Sequence, residues 1–283
     1  MLKVGLSYNC NDFSKLDEMK KAGIYGIELC RSYYGEFEKL DFLGLKKKLD
    51  EIDLKLWSMH LPFGPFDKID ISSGDEVLRQ NSIMYLCGLI DKGGKIGAKR
   101  FVIHTSGEPI ADEERKERIN NAKKSLTKLA DCAEKYGAII CVEDLPRDCL
   151  GNCANDLLDL TGDDDRLKIC FDTNHIITEQ PHDVIKKVGS KIETLHVSDF
   201  DFINERHWLP GEGKIDWDKL TKALEEINYN GVWMYEIGFG IPRTILRDRE
   251  LTPEDFIRSA DETLNHKPFT IFSKPKPNLG MWE

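Results

Sequence analysis

Five acidic or histidine residues follow short apolar runs, and their side chains are of the types that bind metal ions. They are His104 after RFVI, Glu143 after AIICV, Asp172 after LKICF, His196 after IETL and Glu236 after GVWMY. Apolar runs of this length predict buried parallel strands, so each residue stands at the carboxyl end of a strand. If the strands close into one barrel, their carboxyl ends meet at one mouth and these residues form a single site.

The spacing of apolar segments predicts the elements that would position these residues. Strand-like runs lie at about 2–7, 24–29, 54–59, 100–103, 138–142, 167–171, 192–195 and 231–235. Amphipathic helix-like segments alternate with them, most clearly at 75–96, 113–136 and 217–227. This alternation predicts an α/β protein with a parallel sheet. The count of eight predicts a single (β/α)8 TIM barrel, and 283 residues suit a unit that needs about 250.

The domain organisation predicted from composition is one barrel and a short tail. No break in composition marks a second domain, so we expect residues 1–265 to form the barrel. The proline-rich extension 266–283 reads HKPFTIFSKPKPNLGMWE, and its prolines oppose a helix. We expect this tail to pack on the barrel or on the partner subunit of a homo-oligomer.

Charge and hydropathy disfavour several classes of protein. A net charge of −10 argues against a nucleic-acid partner, which usually needs a basic face. No run approaches the roughly 18 apolar residues of a membrane span, and the start, MLKVGLSYNC, lacks the apolar segment of a signal peptide. We therefore expect a cytoplasmic protein without a membrane partner. In that compartment the eight cysteines are interpreted as small buried residues without disulfide bonds.

Four of the strand-end residues form the candidate metal site. Glu143, Asp172, His196 and Glu236 follow strands five to eight in turn. Three carboxylates and one imidazole suit one divalent ion such as Mn²⁺, Mg²⁺, Co²⁺ or Zn²⁺. Each residue alone could be a structural ion-pair partner, but four at the same strand position favour a functional site at the mouth of the barrel.

Further polar residues stand around this cluster in the sequence. His175 lies three residues after Asp172, and His207 lies in the long segment after strand seven. Loop residues at this face of a barrel are typically binding residues, so we expect both to contact a substrate. His60 closes strand three and His104 closes strand four, where a structural role and a substrate contact are equally expected.

These residues carry a resemblance to the xylose isomerase-like TIM-barrel superfamily, the sugar phosphate isomerase/epimerase group. It runs from strand one to helix eight, and its most specific motifs are FDTNH, LHVSDFD, RHWLPGEGKIDW and the YE of strand eight. In ketose 3-epimerases of this group, four residues on strands five to eight bind one divalent metal ion. The matching positions here are Glu143, Asp172, His196 and Glu236. The resemblance implies that the two glutamates also form the acid/base pair.

The function implied by this resemblance is a divalent-metal-dependent isomerase or epimerase of a ketose-type sugar or sugar derivative. Protons would move through a metal-stabilised enediolate, with one glutamate removing a proton and the other returning one. His175 and His207, together with His60 and His104, would hold the hydroxyls of a small-molecule sugar. The indole of Trp208 could cover a face of the sugar.

Other functions remain open. The endonuclease IV family uses a trinuclear zinc site to cleave abasic DNA, and this chain has residues at every matching position. They are His60, His104, Glu143, Asp172, His175, His196, Glu205, His207 and Glu236, which makes Glu205 an extra candidate metal ligand. Against that function, that family has aspartate at the position of Glu205, and DLPRD follows Glu143 where that family has a different motif. A keto-inositol dehydratase and a non-catalytic sensor of sugar or metal are also consistent with the pattern.

Overall fold

The barrel is built from eight parallel strands, seen in a computed structural model that describes residues 2–271 and 273–281. The strands are β1 Lys3–Tyr8, β2 Gly26–Cys30, β3 Lys55–His60, β4 Arg100–Ile103, β5 Ile139–Glu143, β6 Leu167–Asp172, β7 Ile192–His196 and β8 Val232–Tyr235. The helices are α1 Ser14–Ala22, α2 Phe42–Ile52, α3 Glu76–Lys95, α4 Asp112–Glu134, α5 Ala154–Thr161, α6 Pro181–Val188, α7 Trp217–Glu226 and α8 Pro253–Leu264.

The strand order shows a nearly closed barrel. Neighbouring strands run β7-β6-β5-β4-β3-β2-β1-β8, and they pair in parallel. The remaining seam between β7 and β8 is bridged just beyond β7, where the Val197 N–H donates to the Met234 carbonyl at 2.8 Å. The Glu236 N–H donates to the Val197 carbonyl at 3.3 Å, so the seam closes directly beside the candidate site. The predicted (β/α)8 TIM barrel is confirmed.

The alternation of side chains along the strands determines what lies beneath the mouth. Successive residues of a strand point to opposite faces, so Cys141 and Cys170 face the same way as Glu143 and Asp172, two residues further on. Both cysteines are buried and pack with Val102 in a small apolar cluster of their own. Small apolar side chains therefore lie directly below Glu143 and Asp172.

The expectation of unpaired cysteines is wrong for one pair. Cys87 of α3 and Cys132 of α4 form a disulfide, with their Cα atoms 5.8 Å apart. Cys10, Cys141, Cys149 and Cys170 are free and buried, as expected for small apolar residues. The disulfide joins two neighbouring outer helices and lies outside the barrel mouth.

The segment after β8 and the tail form a second, smaller sheet. Strand β9, Ile245–Arg247, pairs in antiparallel fashion with β10, Ser273–Pro275. The Arg206 guanidinium, in the loop after β7, donates to the Gly280 carbonyl at 2.7 Å, so the described part of the tail contacts that loop. Phe272, Trp282 and Glu283 of the predicted tail lie outside the described residues. Within the described chain, no helix is both long enough and apolar enough to cross a membrane.

A buried ion pair joins β9 to the loop after β7. Arg247 donates to Glu212 at 3.0 Å, and their side chains are 0% and 2% exposed. Breaking a buried ion pair by removing one partner costs several kcal/mol, because the other charge stays buried. We expect Arg247→Leu to lower the free energy of unfolding by about 3 kcal/mol in denaturant titrations. Arg243→Leu, an exposed neighbour, should change it by less than about 0.5 kcal/mol; equal effects would contradict the prediction.

Candidate metal centre and active site

Glu143 is the centre of the site, because three imidazoles surround its fully buried carboxylate. Its Oε1 lies 2.8 Å from Nδ1 of His196. Its Oε2 lies 2.9 Å from Nε2 of His60 and 3.0 Å from Nε2 of His104. Burial alone would raise the pKa of Glu143, but these imidazoles outweigh it and hold that pKa well below the ordinary value. The carboxylate is therefore anionic.

His196 is oriented by a second buried acid, Glu28 of β2. The Nε2 of His196 lies 2.8 Å from Oε1 of Glu28, whose Oε2 accepts from the Ser58 hydroxyl at 2.7 Å. Because Nε2 of His196 faces Glu28, the other ring nitrogen, Nδ1, faces the candidate ligands. A carboxylate placed in this way fixes the tautomer and orientation of a metal-binding histidine.

The remaining two carboxylates present oxygens that have no partner in the described chain. Asp172 Oδ2 and Glu236 Oε2 are buried and accept no hydrogen bond from any described residue. They lie 3.8 Å and 3.5 Å from Nδ1 of His196. Buried charged oxygens are costly unless a cation compensates them. The donor set of Glu143, Asp172, His196 and Glu236 therefore fits a divalent ion.

Three histidines at the mouth are held in the same way by the backbone. The Nδ1 of His60 lies 2.8 Å from the Leu61 carbonyl oxygen, and that of His175 lies 2.7 Å from the Asp144 carbonyl oxygen. The Nδ1 of His207 lies 2.9 Å from the carbonyl oxygen of Glu236. Because a carbonyl oxygen accepts only from a nitrogen that carries a proton, Nδ1 is the protonated nitrogen in each ring. Nε2 of His60 then faces Glu143, whereas His175 and His207 present Nε2 to the site. The Nε2 atoms of His175 and His207 could bind either a metal ion or substrate hydroxyls.

The pKa values of three outer members of the site are all raised, which favours the charged form of the histidine and the neutral form of the two acids. Burial lowers the pKa of His175, but Asp172 and Glu205 outweigh it and raise that pKa to about 10. Burial raises the pKa of Glu236 well above its ordinary value, and the nearby Glu143 adds to this despite His196. Burial likewise raises the pKa of Asp144 well above the usual range.

The ligand atoms form three overlapping groups, in each of which every atom lies within 4.8 Å of the others. One group contains Glu143, Asp172, His175 and Glu236, and another contains His60, Glu143, His196 and Glu236. A third contains His175, His207 and Glu236. Glu236 belongs to all three, so its carboxylate lies where the inner cluster meets the open mouth.

A cavity of about 260 Å³ opens above these residues. His104, His175, His207 and Glu236 line its inner part, and Phe63 and Phe66 line one wall. The Phe63 ring is stacked on the His104 imidazole, with ring centroids 4.1 Å apart. An aromatic wall opposite polar groups is typical of a small-molecule site.

Arg147 lies on the outer side of this cavity and joins three loops. Its guanidinium donates to Glu108 after β4 at 2.6 Å and to Glu205 after β7 at 2.9 Å. Arg147 itself follows β5 and has a positive φ of 51°. Glu205, a predicted extra metal ligand, therefore lines the cavity but is held by an arginine.

The structure brings nine of the ten predicted site residues to this mouth. Trp208 is the exception: it is 1% exposed, and its indole N–H donates to the Thr244 hydroxyl at 2.9 Å, away from the cavity. Three contributing residues were absent from the prediction, namely Glu28, Asp144 and Arg147. For Glu28 a signal existed, because an acid in the middle of the apolar run GIELC has to be buried with a partner.

A family model and two characterised relatives match this chain. A family model described as a xylose isomerase-like TIM barrel matches residues 16–253. The inosose isomerase of Bacillus licheniformis is 29% identical over 206 residues, which is 67% of this chain and 69% of that protein. The D-psicose 3-epimerase of Enterocloster bolteae is 30% identical over 122 residues, covering 41% of this chain and 38% of that one.

A solved structure shows the same fold across nearly the whole chain. The structure of an L-ribulose 3-epimerase superposes with a TM-score of 0.79 and covers 94% of this chain and 95% of that one. The two sequences are 19% identical, so the likeness concerns the fold. The matched segment spans less than half of the D-psicose 3-epimerase, at 38% of its length.

The position of Glu28 yields a test of how His196 is oriented. Glu28→Gln should weaken binding of Mn²⁺ by roughly 10-fold or more, because an amide lacks the negative charge with which the Glu28 carboxylate orients the His196 ring. Isothermal titration of metal-free protein with MnCl₂ measures this. Glu117→Gln, an exposed glutamate of α4, serves as the control and should bind Mn²⁺ as the unaltered protein does. Equal affinities in the two variants would show that Glu28 does not support the site.

Proposed function

Because this chain belongs to the xylose isomerase-like TIM barrel family, we propose that it is a divalent-metal-dependent isomerase or epimerase of a ketose-type sugar or sugar derivative. One observation carries the proposal. Oxygens of Glu143 and Glu236 lie within 4.8 Å of each other and of ligand atoms of Asp172 and His175, and Glu236 and His175 line the cavity. Two carboxylates at that separation can both reach a single carbon of a bound sugar.

The metal would be held by Glu143, Asp172, His196 and Glu236. A divalent ion bound there, Mn²⁺, Mg²⁺, Co²⁺ or Zn²⁺, supplies polarisation of a carbonyl and stabilises the negative charge that develops on its oxygen. The unpartnered oxygens of Asp172 and Glu236 support this assignment.

The proton transfer is assigned to the two glutamates. One carboxylate takes the proton from the carbon beside the carbonyl, and the other returns a proton to the opposite face or to the neighbouring carbon. Each step needs a carboxyl group within hydrogen-bonding reach of the reacting atom. Glu236 lines the cavity, whereas Glu143 lies deeper among the imidazoles. The two carboxylates would therefore approach a bound substrate from different depths of the site.

The sugar hydroxyls would be held by the histidines of the mouth. His175 and His207 line the cavity, and the backbone bonds at Nδ1 direct Nε2 of each ring into the site. The Phe63 and Phe66 rings supply the apolar wall against which a sugar face can pack. A rigidly oriented donor or acceptor fixes which substrate carbon stands between the glutamates.

Solvent exchange tests the proton-transfer proposal. We expect the protein to exchange solvent deuterium into at least one member of a panel of ketoses, followed by ¹H NMR. Glu236→Gln should reduce this exchange by about 100-fold or more, because a general acid/base group contributes that much to the rate. Glu117→Gln is the matched control and should leave the rate unchanged. The sugar products separate epimerisation from isomerisation, and loss of water would reveal a dehydratase.

Two outcomes of the exchange experiment would contradict the proposal. Exchange into no ketose of the panel excludes this chemistry for those sugars. Undiminished exchange in Glu236→Gln removes Glu236 from the acid/base pair.

A second candidate function is favoured by the number of histidines that converge on the site. His60, His104, His175 and His207 all lie around Glu143 and Glu236, as a trinuclear zinc site of the endonuclease IV type requires. That protein class is a phosphodiesterase on abasic DNA. Against this candidate, the carboxylate of Glu205, which would supply a third-ion ligand, is paired with Arg147 at 2.9 Å.

Metal content separates the two candidates. Elemental analysis of protein purified without chelators should find about one divalent ion per chain, because Glu143, Asp172, His196 and Glu236 supply the four ligands of a single ion. Asp172→Asn should lose that ion, whereas Asp163→Asn, an exposed control, should keep it. Nearly three zinc ions per chain, together with cleavage of an abasic oligonucleotide, would support the second candidate and overturn the first.

A further inference from the structure

A second cavity, of about 700 Å³, adjoins the site on the side of β1 and β2. Ser32, His207 and Glu236 line both this cavity and the smaller one above the metal ligands. The two cavities therefore adjoin each other at these residues. Their combined volume is larger than that of the smaller cavity alone. Cavities that hold drug-sized ligands typically have volumes of roughly 300–1,000 Å³.

The outer part of the larger cavity contains a fixed guanidinium, that of Arg31. Its Nε donates to the Asn9 carbonyl at 3.2 Å and its Nη1 to the Glu36 carbonyl at 2.9 Å. Its Nη2 donates to Oδ1 of Asn11 at 2.9 Å. All three acceptors are neutral oxygens, and none of the described carboxylates forms an ion pair with Arg31. Each Nη atom carries two N–H groups, so two donors remain after these bonds.

A second cation, Lys39, lines the same space. It is exposed and has no ion-pair partner among the described residues. Apart from Glu236, the carboxylate among the described residues lining the cavity is Glu36, whose Oε2 accepts from the Tyr33 N–H at 3.1 Å. This end of the cavity thus has two positive charges against one negative charge, in a chain whose net charge is −10.

The neighbouring amides add donors to these charges. The Asn9 Oδ1 already accepts from the Asn11 N–H at 3.1 Å, and the Asn11 Oδ1 accepts from Arg31. Both amide oxygens are therefore engaged, and the NH₂ groups of the two side chains are available as donors. Spare N–H donors beside the positive charges of Arg31 and Lys39 favour an anion with several acceptor oxygens. Arginine can bind such an anion through two parallel hydrogen bonds.

We propose that the larger cavity binds an anionic group of the substrate, a phosphate or a carboxylate, at the end of the sugar remote from the reacting carbon. The proposal rests on the proposed function, since it places the reacting carbon at Glu236 and the anion at Arg31 and Lys39. The substrate class is thereby narrowed to anionic ketoses. Neutral ketoses fill the inner cavity and leave the charged end unused.

Equilibrium binding tests the proposal without relying on turnover. The probes are fructose, fructose 6-phosphate, fructuronate and inorganic phosphate, titrated calorimetrically into the metal-loaded protein. We expect at least one anionic ketose to bind roughly 10-fold more tightly than fructose, because hydrogen bonds between charged groups are the strong ones. Arg31→Gln and Lys39→Gln should each reduce that preference. Lys21→Gln, which removes an exposed charge of α1, is the matched control and should preserve it.

The arms of the experiment separate the possible results. A preference for fructose 6-phosphate alone identifies a phosphate site, and an equal preference for fructuronate identifies recognition of charge. Lys39 is exposed, so Lys39→Gln keeps the test valid if Arg31→Gln fails to fold. Equal binding of fructose and both anionic ketoses overturns the proposal. So does a preference that survives both substitutions, or no binding of any anionic probe.

The two proposals can fail separately. Deuterium exchange into neutral ketoses without any preference for an anion removes the anion site and leaves the isomerase or epimerase function. Anion binding that depends on Arg31 and Lys39 without exchange into any ketose removes the proposed reaction and leaves the anion site.

Discussion

A carboxylate buried inside a barrel mouth needs positive charge around it, and the site is arranged to meet this need for Glu143. Burial of an uncompensated carboxylate costs many kcal/mol, so the imidazoles of His60, His104 and His196 lie at 2.8–3.0 Å from its oxygens. His196 in turn needs Glu28 at its other nitrogen. One buried charge thus determines the positions of four further side chains on β2, β3, β7 and the end of β4.

The barrel can satisfy this constraint because its strands deliver each group from a different direction. Glu28 comes from the middle of β2, whereas Glu143, Asp172 and His196 come from the ends of β5, β6 and β7. The small buried side chains of Cys141 and Cys170 lie beneath Glu143 and Asp172. The loops after the strands supply further contacts around the mouth. Arg147 ties three of them together on the outer side of the mouth.

The sequence predicted most of this because strand ends follow a simple rule. Apolar runs ending in an acid or a histidine identified Glu143, Asp172, His196 and Glu236, together with the order of strands and helices. The same rule missed Glu28, since it stands within its strand. Trp208 was expected at the sugar, but its indole is buried and bonds to Thr244, while its backbone pairs with Asp199 at 2.7 Å and 3.1 Å. The hydrogen bond to Thr244, 36 residues away, has no signature in the local sequence.

Residues that act across long distances in the chain were likewise beyond sequence reasoning. Arg147 bonds to partners 39 and 58 residues away, and the Cys87–Cys132 disulfide spans 45 residues. Spacing alone does not select such partners from the other arginines and cysteines. The cationic end of the larger cavity was missed for the same reason, since Arg31 and Lys39 form no recognisable motif and become neighbours of the site only through the fold.

The attachment of three histidine rings to main-chain carbonyls has a consequence for divergence. Every residue type supplies a carbonyl, so substitutions at Leu61 or Asp144 leave the anchors of His60 and His175 in place. Mutational drift in the surrounding loops can therefore reshape the substrate cavity without disturbing the orientation of these imidazoles. A scaffold of this kind can change the sugar that it accepts while its chemical machinery is inherited unaltered.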